Sequence, residues 1–220
     1  MDKRKVSFVY RLLVIASLGT GIYLNIYKTT SLMSILSYFT LQVNIICLFS
    51  FIFFEIADIA KRNYRKHELY YVVKGALIIA VILMATTYWM ALAPNQFEMD
   101  RLHECVESRK LRNILVHEVS PILVILDYLL FDEKRNFKLY YPIVWLLIPL
   151  NYTFYVYAYS AAGGKFYGIG GSREFAYIFF DYKKIGYEGV LYCMAFLTFV
   201  ILILGYVMVL VDKILAKQKK

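Results

Sequence analysis

The sequence predicts an all-α membrane protein, a bundle of six transmembrane helices that forms a single domain over residues 1–220. Sixty per cent of the residues are hydrophobic and the mean hydropathy is +0.56, which excludes an ordinary soluble domain. A helical span needs roughly 20 apolar residues. Because lipid cannot satisfy backbone polar groups, each span must be a helix. The apolar stretches of suitable length are residues 7–27, 34–57, 72–93, 111–131, 139–160 and 187–211.

The first apolar stretch, residues 7–27, has the position of a signal peptide but not its pattern. It is longer than the apolar core of a typical signal peptide, and no small-residue cleavage site precedes Tyr27 and Lys28. We therefore expect it to be retained as the first span.

The second stretch, residues 34–57, carries a polar face. Its polar residues are three, four and three positions apart, so a helix places them on one side. They are Ser37, Thr40, Asn44 and Cys47. Glu55 and Asp58 lie at the inner end of this stretch, where we expect them to be solvated.

The fourth stretch, residues 111–131, contains a histidine and two carboxylates. Ionisable groups in hydrocarbon are costly and indicate a functional site. Pro121 cannot donate to the carbonyl of His117, so we expect a kink there. Asp127, near the inner end, is expected to reach towards Lys134 or Arg135. One seam of the helix holds residues four, three, four and three positions apart, namely Asn113, His117, Ser120, Val124 and Asp127.

Two connections are long, and both fall on the outer face. Residues 94–110 mix charges, and pairs four positions apart permit a short helix on the membrane surface. Residues 161–186 are rich in glycine and aromatic residues, so we expect a lid over the outer mouth of the bundle. Alternatively, this segment lies flat on lipid headgroups. As a lid, it would bring Lys165 or Arg173 to a substrate carboxylate.

Tyrosines are dense where the fifth stretch ends and the sixth begins. Tyr155 and Tyr192 lie at the same predicted depth as Thr40 and His117. Such residues are ordinary members of an interfacial aromatic belt. Alternatively, they line a pocket for an amphiphilic ligand.

Basic residues indicate the orientation of the spans. Cytoplasmic connections carry an excess of lysine and arginine, and six spans place four basic segments on one face. We therefore expect both termini in the cytoplasm, and we attribute much of the net charge of +9 to orientation and to lipid headgroups. The basic residues are Lys3, Arg4, Lys5, Lys61, Arg62, Arg65, Lys66, Lys134, Arg135, Lys138, Lys213, Lys217, Lys219 and Lys220.

Other binding chemistries lack their sequence patterns. Cys47, Cys105 and Cys193 do not have the spacing of a metal site, and their odd number argues against a structural disulfide. The glycines at Gly168–Gly171 lack the preceding strand and the lysine of a phosphate loop. No nucleic-acid motif accompanies the basic residues. We expect no metal, no cofactor and no nucleic-acid partner, and we expect membrane lipids as partners.

Thr40 and His117 are the candidate catalytic pair. Spans two and four run in the same direction, and each residue lies about six positions, or roughly 9 Å, inside the outer boundary. A hydroxyl and an imidazole at one depth form an available nucleophile–base pair. Each has a structural alternative, since Thr40 could bond a carbonyl of its own helix and His117 could pair with a polar group of the bundle.

Three further side chains are candidates for contact with substrate. Asn44 or Ser120 could stabilise an oxyanion, and Glu118 lies about 100° around the helix from His117. The alternatives are structural, because an intramembrane asparagine often joins helices and a carboxylate can pair with a cation of another helix.

Three groups of motifs resemble those of one family of six-helix membrane proteins. They are YFTLQVN at 38–44, HEVSP at 117–121 with LDYLLF at 126–131, and FAYIFFD with GYEGV between 175 and 190. The family comprises the eukaryotic androgen-induced membrane proteins, including the androgen-dependent regulator of tissue factor pathway inhibitor, and bacterial relatives. Its eukaryotic members are threonine hydrolases of fatty-acid esters of hydroxy fatty acids. The FTLQVN and HEVSP forms resemble the bacterial branch, which implies a bacterial plasma membrane.

The resemblance implies that Thr40 is the nucleophile and His117 the essential histidine. The first hypothesis is therefore an intramembrane lipid-ester hydrolase that acts on an amphiphilic ester through an acyl-threonine. One alternative is a non-enzymatic lipid-binding receptor. Another is a small-solute or proton-coupled transporter in which His117, Glu118 and Asp127 bind ligand or relay protons. A third is a scaffold of a membrane complex.

Overall fold

The computed structural model describes residues 3–27, 29, 31–92, 107–168 and 171–217, and these residues are mainly helical. Tyr88–Leu92 and Leu115–Val119 are π-helical turns, and Tyr64–Lys66 and Ile178–Phe180 are short 3₁₀ turns. The α-helices are α1 (Lys3–Tyr27), α2 (Leu32–Ser37), α3 (Phe39–Ile59), α4 (Glu68–Thr87), α5 (Glu107–Ile114), α6 (Ser120–Phe131), α7 (Tyr141–Trp145), α8 (Leu147–Ala161) and α9 (Tyr182–Lys217).

The all-α class is confirmed, and within the described ranges five helical segments are long and apolar enough to cross a membrane. The predicted span 139–160 differs, because the chain forms the two shorter helices α7 and α8 around Leu146. Six transmembrane helices therefore stay a prediction. The five segments are Arg4–Tyr27, Phe39–Ile59, Glu68–Met90, Leu111–Phe131 and Tyr182–Lys217.

The predicted second span is broken at Tyr38, whose backbone is extended (φ −76°, ψ 141°). The hydroxyl of Tyr152 satisfies backbone groups on both sides of the break. It accepts from the Phe39 N–H at 3.0 Å and donates to the Ser37 carbonyl at 3.2 Å. Because this partner lies far along the chain and the break involves neither glycine nor proline, the hydropathy pattern did not reveal it. Thr40 is thus the second residue of a new helix.

The described chain forms two compact units. The first comprises residues 1–29 and 40–133 and contains α1, α3, α4, α5 and α6. In it, α6 packs against α1 and α4. Buried apolar side chains fill this unit, including Val14, Leu18, Phe51, Ile79 and Val124. The single domain predicted over residues 1–220 stays a prediction.

The second unit comprises residues 30–39 and 134–220 and has an aromatic core. Phe166 and Phe175 of the long connection are buried against Tyr152 and Val156 of α8. Strands β1 (Phe166–Gly168) and β2 (Gly171–Arg173) form an antiparallel hairpin in which Tyr167 pairs with Ser172. Burial of these rings agrees with the expectation that the connection is too apolar to be left in water.

The long connection is also anchored to α2. The Tyr167 N–H donates to Ser34 Oγ at 2.7 Å, and Tyr38 donates its hydroxyl proton to the Tyr167 carbonyl at 3.1 Å. Gly186, with φ 70°, interrupts α9 near its start, so the main part of that helix begins close to the predicted residue 187. A lid over the candidate site stays a prediction. Most of the predicted surface helix, 94–110, lies outside the described residues.

The helix around His117 changes its hydrogen bonding immediately before Pro121. The Ser120 N–H donates to the Leu115 carbonyl, five residues back, which closes the π-helical turn Leu115–Val119. Pro121 lacks the donor that would continue the α-helical ladder through this point. A π-turn thus occurs beside the position of the predicted kink, and such turns are frequent at functional sites.

Candidate active site

Asn44 joins three helical segments at one end of the first unit. Its Nδ2 donates to the Thr40 carbonyl at 2.8 Å, to Met84 Sδ at 3.2 Å and to the Val116 carbonyl at 3.5 Å. Its Oδ1 is buried and has no hydrogen-bond partner in the described chain. Asn44 thus brings the start of α3, the end of α4 and the π-turn together.

His117 lies in that π-turn and is 6% exposed. Its ring stacks on Tyr88, with the ring centroids 3.7 Å apart and the planes 5° from parallel. Its Nδ1 is buried without a hydrogen-bond partner among the described residues. A buried polar atom without a partner is costly, which makes this imidazole a candidate for chemistry. Thr40, Asn44 and His117 are called the polar cluster below.

Thr40 is half-buried, and its hydroxyl forms no hydrogen bond to a described residue. Two of the other helical threonines bond within their own helices, whereas Thr20, Thr87 and Thr198, like Thr40, form no hydrogen bond to a described residue. Thr86 donates to the Ile82 carbonyl, and Thr153 donates to the Pro149 carbonyl, each at 2.8 Å. The carbonyl four residues before Thr40 belongs to Leu36, on the other side of the break at Tyr38. The structural alternative for Thr40, a bond to its own helix, is therefore absent from the described contacts.

Gly21 of α1 permits the close approach of the π-turn. A Cβ at this position would lie 2.8 Å from Val116 Cγ1 and 3.3 Å from Leu115 Cβ, whereas a Cβ at Gly19 would meet nothing within 4 Å. Of these two glycines, packing therefore requires only Gly21. Its absent side chain helps to position the backbone next to His117.

Two other predicted site residues flank His117. Ser120 is fully buried and shares a hydrogen bond with Ser17 of α1, with the two Oγ atoms 2.9 Å apart. Glu118 is half-buried and has no ion pair within the described part of the chain. Ser120 therefore joins two helices. The alternative that Glu118 pairs with a cation of another helix is not observed among the described residues.

The two predicted tyrosines lie in the second unit. The Tyr155 hydroxyl lies 2.7 Å from Ser37 Oγ, and its ring stacks on Tyr159. Tyr192 of α9 is 71% exposed. Tyr155 is thus engaged in holding α8 to α2, whereas Tyr192 has the exposure expected of an interfacial belt residue.

The expectation that Asp127 reaches towards Lys134 or Arg135 is wrong. Asp127 Oδ1 accepts from Arg11 Nε at 2.8 Å, and its Oδ2 pairs with the Lys74 ammonium group. All three side chains are fully buried. Burial requires such a pairing, because an isolated charge away from water is strongly unfavourable. Arg11, Lys74 and Asp127 are called the charged cluster below.

Glu55 and Asp58 were expected to be solvated. This is wrong for Glu55, which is buried, whereas Asp58 keeps some exposure and also forms ion pairs. Glu55 is 5% exposed, and its Oε1 lies 3.6 Å from Arg11 Nη1. Asp58 accepts from Arg11 at 2.8 Å and from Arg65 at 2.5 Å. The missed signal was the position of Arg11 and Lys74 within apolar stretches, since an ionisable residue there requires a partner.

Charges on the long connection pair with one another. Lys165 lies 3.6 Å from Glu174, and Lys183 lies 2.5 Å from the same carboxylate. The hydrogen bond and positive charge of Lys183 lower the pKa of the Glu174 carboxyl group. A substrate carboxylate would therefore have to compete with Glu174 for Lys165.

The described residues contain no group of three or more histidine, cysteine or acidic side chains that could hold a metal ion. The polar cluster instead offers a hydroxyl, a carboxamide and an imidazole, which are groups suited to nucleophilic and acid–base chemistry. Comparisons of the chain with protein-family models, with curated proteins and with solved structures find no match.

Proposed function

We propose that this protein is an intramembrane lipid-ester hydrolase in which Thr40 is the nucleophile and His117 the general base. The observation that carries the proposal is that Asn44 bonds the backbone of Thr40 and that of Val116, which precedes His117 in the chain. The Thr40 hydroxyl has no hydrogen bond to a described residue. A hydroxyl without a competing backbone bond is available for attack on a carbonyl carbon.

The environment of His117 supports its role as the base. An alcohol is a weak nucleophile and needs an adjacent group to take its proton. His117 has a buried Nδ1 without a described partner, and its ring orientation is held by stacking on Tyr88. Asn44 bonds the backbone of Thr40 and that of Val116, the neighbour of His117. The two reactive groups are therefore on segments held by one amide.

The proposed reaction has two steps. The Thr40 oxygen attacks the ester carbonyl while His117 takes its proton, and the proton then passes to the departing alcohol as the carbon–oxygen bond of the ester breaks. In the second step, His117 takes a proton from water, the resulting hydroxide attacks the acyl-threonine, and Thr40 regains its proton as the fatty acid leaves. A positioned base contributes typically 10²–10⁴-fold to such a rate.

Asn44 is the preferred residue for stabilising the tetrahedral oxyanion. The hydroxyl of Ser120 is already bonded to Ser17, whereas the Asn44 amide lies beside Thr40. Its long bond to the Val116 carbonyl, 3.5 Å, is the one that an oxyanion could replace at least cost. Donors aimed at developing charge give large catalytic effects in sites that exclude water.

The substrate class follows from the surroundings and from the resemblance to the threonine hydrolases. Large apolar side chains remain exposed along the helices, including Phe49, Phe53, Leu191, Phe196 and Phe199. This surface suits a chain that crosses the membrane six times with both termini in the cytoplasm. An amphiphilic ester, such as a fatty-acid ester of a hydroxy fatty acid, would enter from the lipid.

Covalent labelling of the full chain in bilayers with a fluorophosphonate tests the nucleophile directly. We expect the probe to modify Thr40, to modify Thr40→Ser, and to leave Thr40→Ala unmodified. Thr86→Ala is the matched control, because it removes a helical threonine whose hydroxyl is already bonded. Labelling of Thr40→Ala equal to that of the parent would exclude Thr40 as the nucleophile.

Hydrolysis of a fatty-acid ester of a hydroxy fatty acid tests the substrate class. Thr40→Ala and His117→Ala should both lose turnover while remaining folded and inserted, and Thr86→Ala should keep it. If Thr40 is labelled but this ester is not cleaved, the proposed nucleophile is supported and the proposed substrate class is wrong. Absence of both labelling and turnover would favour a lipid-binding receptor.

Proton-coupled transport is a second candidate, favoured by Glu55. This carboxyl group is buried, and neither of its oxygens has a hydrogen-bond partner in the described chain. A buried carboxyl group of this kind can hold a proton. Acidification of proteoliposomes that contain a pH-sensitive dye, measured for the parent and for Glu55→Gln, tests such transport. No acidification by the parent would exclude it, and equal acidification by both would exclude Glu55 as the proton carrier.

A further inference from the structure

A cavity of about 720 Å³ opens at the end of the first unit that holds the charged cluster. Its walls come from the start of α1, the turn after α3 and the end of α6, with Phe131 as an apolar wall residue. The volume lies in the range of ordinary ligand sites. This cavity shares no residue with the polar cluster, so a ligand bound in it would be separate from the proposed ester substrate.

Positive charge dominates the cavity. Five cationic residues line it, against the two carboxylates of Asp58 and Glu133, which gives a formal net charge of +3. The cations are Arg4, Lys61, Arg62, Arg65 and Lys66. Such a concentration of one sign in a concave site favours an anionic ligand.

The carboxylate of Asp58 offsets only part of the positive charge, and one of its two partners, Arg11, lies outside the cavity lining. The Asp58 carboxylate accepts from Arg11 and Arg65, and its backbone carbonyl accepts from Arg4 Nη2 at 2.5 Å. These bonds hold two guanidinium groups at the cavity wall. The Nε of Arg65 is buried and has no hydrogen-bond partner in the described chain.

The other three cations have no carboxylate partner within the described ranges. Lys61, Arg62 and Lys66 are exposed and take part in no ion pair with described residues. Glu133 is the other carboxylate of the lining. One carboxylate cannot balance three cations, so this part of the cavity carries an excess of positive charge. An arrangement of forked and single-point donors suits the oxygens of a phosphate group.

The backbone presents Lys61 in an unusual way. Lys61 has φ 54°, a left-handed conformation that favours glycine. The next residue, Arg62, donates its N–H to the Ala57 carbonyl at 2.8 Å and thereby closes α3. A lysine here costs conformational energy that glycine would avoid, but it adds a cation to the cavity.

We propose that this cavity binds a phosphate group, supplied by the headgroup of an anionic phospholipid. The cavity lies at the ends of helices that are apolar enough to span a membrane, so a headgroup could enter it while its acyl chains remain beside the helices. Free inorganic phosphate has the same recognition chemistry and is the competing source. The proposal does not depend on ester hydrolysis.

The test uses the full chain in detergent, titrated with phosphatidylglycerol or phosphatidylcholine and followed by native mass spectrometry. We expect the parent to retain phosphatidylglycerol at least about tenfold more tightly than phosphatidylcholine, and Arg62→Glu/Lys66→Glu to lose that preference. Lys213→Glu is the control, because it reverses an exposed cation outside the cavity. Equal retention of phosphatidylglycerol by the parent and the double variant would overturn the proposal.

A third variant separates binding from folding. Lys61→Gly removes a cation and relieves the left-handed strain, so it should unfold at the same or a higher temperature than the parent while binding phosphatidylglycerol more weakly. Unchanged binding in this stable variant would remove Lys61 from the site. Competition by millimolar inorganic phosphate without any lipid preference would support the phosphate site and overturn the lipid as its source.

Discussion

The charged cluster and the polar cluster occupy opposite ends of the first unit, and they satisfy their buried polar groups differently. In the charged cluster, both oxygens of Asp127 are paired, with Arg11 and with Lys74. In the polar cluster, His117 Nδ1 and Asn44 Oδ1 are buried without a partner among the described residues. Arg11 Nη2 and both oxygens of Glu55, at the charged end, also lack a hydrogen-bond partner in the described chain. The difference is therefore one of charge pairing: ion pairs hold the first end, and none is formed by the described residues of the polar cluster.

This difference separates two meanings of an ionisable residue in an apolar helix. The spacing in the sequence places Asp127 and His117 on the same seam of one helix and does not distinguish their roles. Asp127 is held by opposite charges that compensate its desolvation. His117 is held by a ring contact with Tyr88, which leaves a nitrogen available. Pairing with an opposite charge, rather than polarity, distinguishes Asp127 from His117.

Removal of the Asp127 charge should have the largest effect on stability. Asp127→Asn leaves Arg11 and Lys74 buried without their shared carboxylate, and we expect the free energy of unfolding to fall by about 3–5 kcal/mol. Unfolding by denaturing detergent in mixed micelles measures it. Glu174→Gln is the control, because that carboxylate is exposed. Equal stability of the two variants would show that the charged cluster is not an anchor.

A methyl group at Gly21 should disturb the polar cluster from outside. Gly21→Ala places a Cβ within 2.8 Å of Val116 Cγ1, so we expect a loss of about 1–3 kcal/mol of stability from overpacking together with slower fluorophosphonate labelling of Thr40. Gly19→Ala, which meets nothing within 4 Å, should label as the parent does. If both alanine variants label alike, the position of the π-turn does not control Thr40.

Replacement of His117 by an aromatic residue should leave the fold almost unchanged. His117→Phe keeps a ring against Tyr88 and removes a buried nitrogen without a described partner, so we expect a free energy of unfolding within about 1 kcal/mol of the parent. Ester hydrolysis should nevertheless be lost. The same unfolding assay and a turnover assay test both statements. A destabilisation as large as that of Asp127→Asn would assign His117 to the structural group.

The exposed ion pair on the long connection should give the smallest effect. Lys183 lowers the pKa of Glu174, so the pair stabilises the folded protein above the ordinary glutamate pKa of about 4.3 and loses this contribution as the pH falls through the lowered value. At pH 7 the melting temperature of Glu174→Gln should be slightly lower than that of the parent. At pH 3 the two melting temperatures should be equal. High salt should remove the difference at pH 7. A difference that persists at pH 3 would contradict the assignment.

Sequence information was sufficient where the determining signal is local. Long apolar stretches predicted five helices that the structure contains, because backbone groups in an apolar segment must bond to one another. Pro121 predicted a disturbance beside His117, because it lacks an N–H within the same turn. Thr40 and His117 were placed at equal depth by counting residues along parallel helices. Whether their side chains come within hydrogen-bond reach stays a prediction.

Only the tertiary structure decided which polar groups are satisfied. The partner of Asp127 is Arg11, 116 residues away in the chain, and the backbone break at Tyr38 is stabilised by the distant hydroxyl of Tyr152. Spacing within a helix reports the face on which a residue lies, but it carries no information about what packs against that face. The sequence by itself thus determined the helices and their polar seams, whereas long-range packing determined which end is held by ion pairs.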